Sequence, residues 1–389
     1  MARSGAAIGS GELPPGMAFY SFMYDEEHAL PGLVAAGALP APSSLVVGMA
    51  VGAVLTAVRF VLDFIFFKPM ARRILGFPPR HRRSAVRALD RLCSNSKILS
   101  PKEVADASAS TGLSEEEIRA YAKDQRVSSL EDKKIGKFKE AAWRLVVYLA
   151  LVVYTLRIVY GKPWFESPDL TWEDWPVGNP DDGLKGLYHT AMGLYWHFIV
   201  FQFWETRRSD FWQMLIHHMA TLFLLTFSWL LGLVRIGALI MLCHDVSDIF
   251  METAKLFNYA QKRFPWCHLA ADGFFFLFAG VFGTARLYIF PKFLILSVWR
   301  TTVLTDFTRL FLCGLLCTLL VLHVFWFYLI MRMIYMFVCH GVEEDIRSDN
   351  EEREVVAAAA TSTNGHHGKD IGVVNGRPPA FDGQKSKTS

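Results

Sequence analysis

Cysteine is sparse and unpaired in this sequence. The six, Cys93, Cys243, Cys267, Cys313, Cys317 and Cys339, form no C-x-x-C arrangement. That excludes a disulfide framework or a cysteine-based zinc site as the organising device. Cys313 and Cys317 lie i, i+4 in an apolar run and read as helix packing. Charge is equally restrained: 40 Lys and Arg against 37 Asp and Glu leave a net charge of +3. A chain so balanced does not read as a nucleic-acid binder. There is no N-x-[ST] sequon and no internal repeat. The first apolar run begins near Ser44, too far in and too long for a secretory signal.

What the chain has in excess is apolar surface. Hydrophobic residues make up 52% and aromatics 14% of the sequence, and the mean hydropathy is +0.26. These values fit an all-α polytopic membrane protein. About seven runs are near the ~20 residues that a bilayer requires. They are 44–68, 140–160, 187–205, two within 207–260 joined by a tight turn near Leu231–Gly232, 270–290 and 307–338. A short loop is expected at 291–306. In the first run, Arg59 and Asp63 stand i, i+4 and are expected to neutralise each other. In the third, His189 and His197 are expected to line a polar interior, or alternatively a substrate tunnel.

The segments outside these runs differ in character. Residues 1–43 are Gly-, Ala- and Pro-rich with an acidic patch at Asp25, Glu26 and Glu27. Residues 69–139 are polar and basic. Within them, Ser114 and Glu117 form a capping-box signature ahead of a helix, and a second helical stretch precedes it. Residues 341–389 read as a disordered tail. Lys and Arg cluster in 69–139, at Arg207 and Arg208, around 255–263 and in the tail. By the positive-inside rule those segments are cytosolic, and the acidic 1–43 and 161–186 segments lie across the membrane. The chain closes on Lys385-Ser-Lys387-Thr-Ser, a KxKxx pattern of the dilysine retrieval type. Ser348 stands among Glu343, Glu344, Asp345, Asp349, Glu351 and Glu352, an acidic phosphorylation context.

The stretch that demands explanation is 207–260, RRSDFWQMLIHHMATLFLLTFSWLLGLVRIGALIMLCHDVSDIFMETAKLFNYA. It buries His217, His218, His244, Asp245 and Asp248 in two apolar helices. An aspartate at the centre of a membrane helix costs ~2.5–3.5 kcal/mol on insertion scales, so intramembrane carboxylates point to function. In an antiparallel hairpin the His pair lies roughly 10 Å from one membrane face, and the two aspartates lie roughly 6–11 Å from the same face. The two groups are therefore level. His217 and His218 diverge by about 100° and are expected to have different jobs.

This stretch resembles the Lag motif of the ceramide synthases, within the TLC-domain superfamily. The matching residues are RRxDFWxMxxHHxAT, then RIGxLxxLxHDxSDxxxExAKxFNY. The resemblance implies a six-helix TLC core (140–340) around a lipid tunnel, with the 44–68 helix peripheral. It implies acyl transfer from acyl-CoA to the amine of sphinganine or a related long-chain base, with no bound cofactor. Catalysis is then expected at His217, His218, Asp245 and Asp248, with His217 as acyl-accepting nucleophile or base and His244 as a lesser candidate. Neutral imidazole suits either role, and a carboxylate can fix its tautomer and balance imidazolium. Arg207, Arg208 and Lys255 are expected at the cytosolic mouth, facing CoA phosphates or anchoring the helices.

The resemblance further implies residence in the endoplasmic-reticulum membrane, the N-terminus lumenal and the C-terminus cytosolic, and homo- or heterodimers. The 69–139 segment resembles the family's degenerate homeobox-like region but lacks the Asn and Trp-Phe of a base-reading helix. In the family, the loop before the last span influences acyl-chain length; 291–306 matches no transferable pattern. Metal-dependent membrane hydroxylases use HxxxH boxes, and none occurs in the spans, so no metal is expected. The alternative reading is a non-enzymatic TLC-domain protein of lipid sensing, trafficking or translocon association.

Overall fold

The structure, a computed structural model, describes residues 44–77, 89, 99–173, 175, 177, 179–205 and 209–340. The N-terminal segment, the tail with Ser348, Lys385 and Lys387, and the basic pair Arg207 and Arg208 lie outside the described residues. The helices are α1 (Ser44–Leu75), α2 (Pro101–Thr111), α3 (Glu115–Val159), α4 (Asp182–Phe201), α5 (Phe211–Leu230) and α6 (Val234–Ala260). They continue with α7 (Cys267–Arg300) and α8 (Asp306–His340). Five of them, α1, α3, α5, α7 and α8, are long and apolar enough to cross a membrane. Helices α4 and α6 complete the bundle. Their lower apolarity has a simple source: α6 alone carries Arg235, Asp245, Asp248, Glu252 and Lys255.

The chain divides into two compact units. The smaller contains residues 86–126 and the larger residues 127–348 together with the N-terminal helix. In the smaller unit, α2 starts on a capping box between Ser100 and Glu103 and ends on Gly112 at φ +70°. The left-handed conformation there suits glycine. The second box forms as expected: Ser114 N–H and Oγ–H both donate to Glu117, at 2.9 Å each. These bonds hold the exposed Glu117 carboxyl below its ordinary pKa. Leu89, Leu99, Val104, Ala107, Ile118, Tyr121 and Ala122 make this unit's core.

In the larger unit, α1 packs on α4 through glycines. A Cβ on Gly52 would lie 2.8 Å from the Gly193 carbonyl oxygen, and one on Gly48 would lie 3.0 Å from Met192 Cβ. Lipid supplies no hydrophobic drive between helices, so small residues at a G-x-x-x-G spacing let the backbones approach and gain dispersion contact. The expected Arg59–Asp63 pair is not what forms. Arg59 pairs with Glu205 at 2.8 Å and Asp63 with Lys139 at 2.8 Å. Both charges serve as ties to distant parts of the chain, because a buried ion needs a partner that also covers it.

His197 joins this tie. Thr56 Oγ1–H donates to the Gly52 carbonyl, so the same oxygen accepts from His197 Nδ1 at 2.9 Å. Arg59 then donates to His197 Nε2 at 3.4 Å. His189 packs against Trp229, with ring centroids 5.4 Å apart. Both histidines therefore take the interior-packing option.

The α5–α6 turn falls where expected, with Gly232 at φ +65°. The expected loop at 291–306 is shorter, because helix α7 continues to Arg300. Its backbone takes the wider π-type pattern over Gly283–Ile295, with Pro291 inside. Proline removes an N–H and crowds the carbonyl four residues back; a widened helix accommodates that gap without ending. Similarly, 140 is no helix boundary. Helix α3 runs unbroken through it from Glu115.

Candidate active site

Helix α5 presents His217 and His218, both buried, and the divergence read from the sequence is present. His218 turns toward α4. Gln202 spends its amide nitrogen on the Phe211 carbonyl, so its oxygen faces the ring and accepts from His218 Nδ1 at 3.0 Å. Phe198 stacks on the same imidazole at 5.6 Å. His217 turns toward α8, with ring centroids 5.4 Å from Trp326 and 6.4 Å from His323. Its buried Nδ1 has no hydrogen-bond partner.

Helix α6 supplies the opposing wall. His244 Nδ1–H donates to the Ile240 carbonyl at 2.6 Å, which leaves its buried Nε2 without a partner. Asp248 accepts from Arg286 of α7 at 2.7 Å, and the same guanidinium donates to the His244 carbonyl at 2.7 Å. Asp248 is thus paired with an arginine rather than an imidazole. Asp245 is buried beside His244. Three cations face the site, and each has a carboxylate partner: Arg144 with Glu205, Lys255 with Glu252 and Arg286 with Asp248.

Two cavities meet here. The first has walls that include His217, His218, Asp248, Glu252, Lys255 and Arg286. The second lies between α4, α5, α6, α7 and α8. Apart from His244, its walls are apolar side chains and hydroxyls, with Leu224, Leu225, Leu312, Leu316 and Leu319 prominent. Tyr195 lines both, with its ring 6.5 Å from His217 and 6.0 Å from His218. The histidines therefore sit where a charged chamber gives way to an apolar one. That suits chemistry on a lipid whose head is polar and whose tail is not.

Of the residues expected at the site, His217, His218, Asp248 and Lys255 line the charged cavity and His244 the apolar one. Asp245 lines neither. Four participants escaped the sequence reading: Tyr195, Glu252, Arg286 as the partner of Asp248, and His323. His323 is fully buried, 4.8 Å from His244 by ring centroids, and neither of its ring nitrogens has a partner. A lone histidine inside an otherwise apolar run was the signal available for it. Among the described residues, no group of His, Cys, Asp or Glu could hold a metal ion.

Comparison with known proteins matches the region that holds these residues. The TLC domain model matches residues 137–332, a span that includes every residue named at the site from Arg144 to Trp326. Ceramide synthase 4 of Homo sapiens is 30% identical over 358 residues, covering 90% of this chain and 89% of that protein. Ceramide synthase 5 of Homo sapiens is 35% identical over 62% of each chain. Ceramide synthase LOH2 of Arabidopsis thaliana is 37% identical over 56% of this chain and 76% of its own length.

Proposed function

Because the chain belongs to the TLC-domain family and, within it, to the ceramide synthases, we propose that it transfers a fatty acyl group from acyl-CoA to the amine of sphinganine or a related long-chain base. It is a multi-pass membrane acyltransferase. The observation that carries the mechanism is the seat of His217, in a charged cavity whose wall residue Tyr195 also faces the apolar one.

The reaction proceeds in two steps at His217. A ring nitrogen attacks the thioester carbonyl, the C–S bond breaks, and CoA leaves as thiolate. The thiolate takes the proton released from the acyl-imidazolium. The free amine then attacks the acyl-imidazole carbonyl. Its proton passes to the departing imidazole as the C–N bond to the ring breaks, so His217 returns neutral and the amide is complete. A thioester is activated enough for this route. If His217 instead acts as general base, the same seat lets it take a proton from the amine while the amine attacks the thioester directly.

His218, held by Gln202, gives polar support. Asp245 and Asp248 balance charge, the latter through Arg286. His244 and its unpartnered Nε2 are a secondary candidate. The apolar cavity takes the acyl chain and excludes water from the acyl group. No bound cofactor is needed, and acyl-CoA is a co-substrate.

Lys255, with Arg207 and Arg208, receives CoA phosphates at the cytosolic mouth. The protein resides in the endoplasmic-reticulum membrane, with its N-terminus lumenal and its C-terminus cytosolic. Lys385 and Lys387 serve retrieval, Ser348 is a phosphorylation site, and the chain pairs with itself or a relative. The 69–139 segment is cytosolic and binds no nucleic acid.

The test is acyl transfer from a panel of acyl-CoAs to sphinganine, in membranes of a host without its own ceramide synthases. Ceramide is the expected product. A correctly located, well-expressed chain that makes none with any chain length would overturn the reading.

A further inference from the structure

One buried carboxylate at the site has a free oxygen. Glu252 of α6 has no solvent exposure. Its Oε1 accepts from Lys255 Nζ at 2.9 Å, while Oε2 is buried without a hydrogen-bond partner. The side chain lines the charged cavity together with His217. Leaving such an acceptor unsatisfied is costly, because a buried ionised group forfeits its hydration with no return. The other acidic groups of the cavity have different partners. Asp248 is held by Arg286 at 2.7 Å, Glu205 by Arg59 and Arg144, and Asp210 by Trp326 Nε1.

We propose that Glu252 is the subsite for the ammonium group of the incoming long-chain base. This deepens the acyltransferase reading and rests on it for the identity of the ligand. The chemistry required is a cation with several N–H donors on an apolar tail. An alkylammonium offers three donors in a compact head, and Oε2 can accept one of them as a charge-assisted bond. Glu252 stands four residues beyond Asp248 on the same helix face. That places it one turn, about 6 Å, nearer the end of α6 that carries Lys255. A lipid headgroup entering from that end meets Glu252 first and then lies in the cavity that holds His217. Lys255 stays on Oε1 and leaves Oε2 for the ligand. Glu252 is a positioning residue here: it seats the base as its ammonium, which gives up one proton to water before the free amine attacks, and the carboxylate takes no part in bond making.

The test is equilibrium binding of octadecylamine and octadecanol to the purified full-length protein in detergent, for wild type, Glu252→Gln and Glu252→Asp. The two probes share a tail and differ in charge. Wild type should bind the amine at least about tenfold more tightly than the alcohol, the scale of one charge-assisted hydrogen bond. Glu252→Gln should lose that preference, and Glu252→Asp should keep part of it. Binding of acyl-CoA should stay within about twofold in all three, which a general folding defect would not allow. Should Glu252→Gln fail to fold because Lys255 is left unpaired, the double variant Glu252→Gln/Lys255→Met removes both charges and is read on the amine-to-alcohol preference alone, since its acyl-CoA binding is expected to fall with Lys255. An unchanged amine preference in either folded variant would overturn the assignment. So would equal binding of both probes to wild type. The binding readout is independent of turnover, so a wild type that binds the amine through Glu252 yet makes no ceramide would count against the acyltransferase reading alone.

Discussion

Arg286 and Asp248 form a 2.7 Å ion pair between α7 and α6, with both side chains largely shielded from solvent. The guanidinium also holds the carbonyl of His244 at 2.7 Å, so one arginine fixes both the aspartate and the backbone of the motif helix. A buried pair contributes little over a well-packed apolar replacement, but a lone buried charge is costly. Arg286→Met should therefore destabilise the protein by ~3–5 kcal/mol. Asp248→Asn alone should also lower stability, and the double variant Arg286→Met/Asp248→Asn should unfold closer to wild type than Arg286→Met does. Thermal unfolding midpoints in detergent measure this. A double variant no better than Arg286→Met would show that the pair is not energetically coupled.

The seam between α1 and α4 makes a second prediction. A methyl on Gly52 meets the Gly193 carbonyl at 2.8 Å, whereas one on Gly280 of α7 meets nothing within 4 Å. Gly52→Ala should force the backbones apart and cost about 1–3 kcal/mol, in the range of overpacking. Gly280→Ala should be neutral or slightly stabilising, since alanine is the better helix former. Detergent-solubilised thermal midpoints of the two variants, compared with wild type, decide the matter. Equal midpoints would mean the glycine contact is not what holds α1.

The apolar cavity bears on chain length. Leu316 lies in its wall on α8, with Val298 and Leu312 on either side of the 301–305 connection. Leu316→Phe adds bulk to the wall and should shorten the preferred acyl chain. The mix of ceramides formed from an equimolar acyl-CoA panel reads this directly. The KM for sphinganine should stay within about twofold, because the charged cavity is untouched. An unchanged product profile would place the acyl chain elsewhere.

Much of this was legible beforehand because membrane helices advertise themselves. The α5–α6 hairpin, its turn at Gly232 and the level placement of the His pair with Asp248 follow from 1.5 Å per residue and an antiparallel crossing. What escaped depended on neighbours distant in sequence. Arg59 and Asp63 satisfy the i, i+4 rule, yet each finds a partner distant in sequence, Glu205 and Lys139. Pro291 marks a helix end by local rules, but the π-type backbone from Gly283 absorbs it. Tyr195 gave little warning because aromatic residues are common in spans, and His323 stood alone in its run with no motif around it. Only the packing of α4 and α8 against α5 and α6 brings them to the site.

The central claim is that His217 performs the transfer. The most direct measurement combines ceramide formation with intact-mass analysis of the protein after acyl-CoA is added without amine. Wild type, His217→Ala, His218→Ala and Asp245→Asn are compared at matched expression. Wild type should gain the mass of one acyl group and lose it when sphinganine is supplied. His217→Ala should gain none, and its ceramide output should fall by about a hundredfold or more, the scale of removing a positioned acid–base or nucleophilic group. Asp245→Asn should be slower while still accepting the acyl group. Ceramide formed by His217→Ala at the wild-type rate would contradict the account.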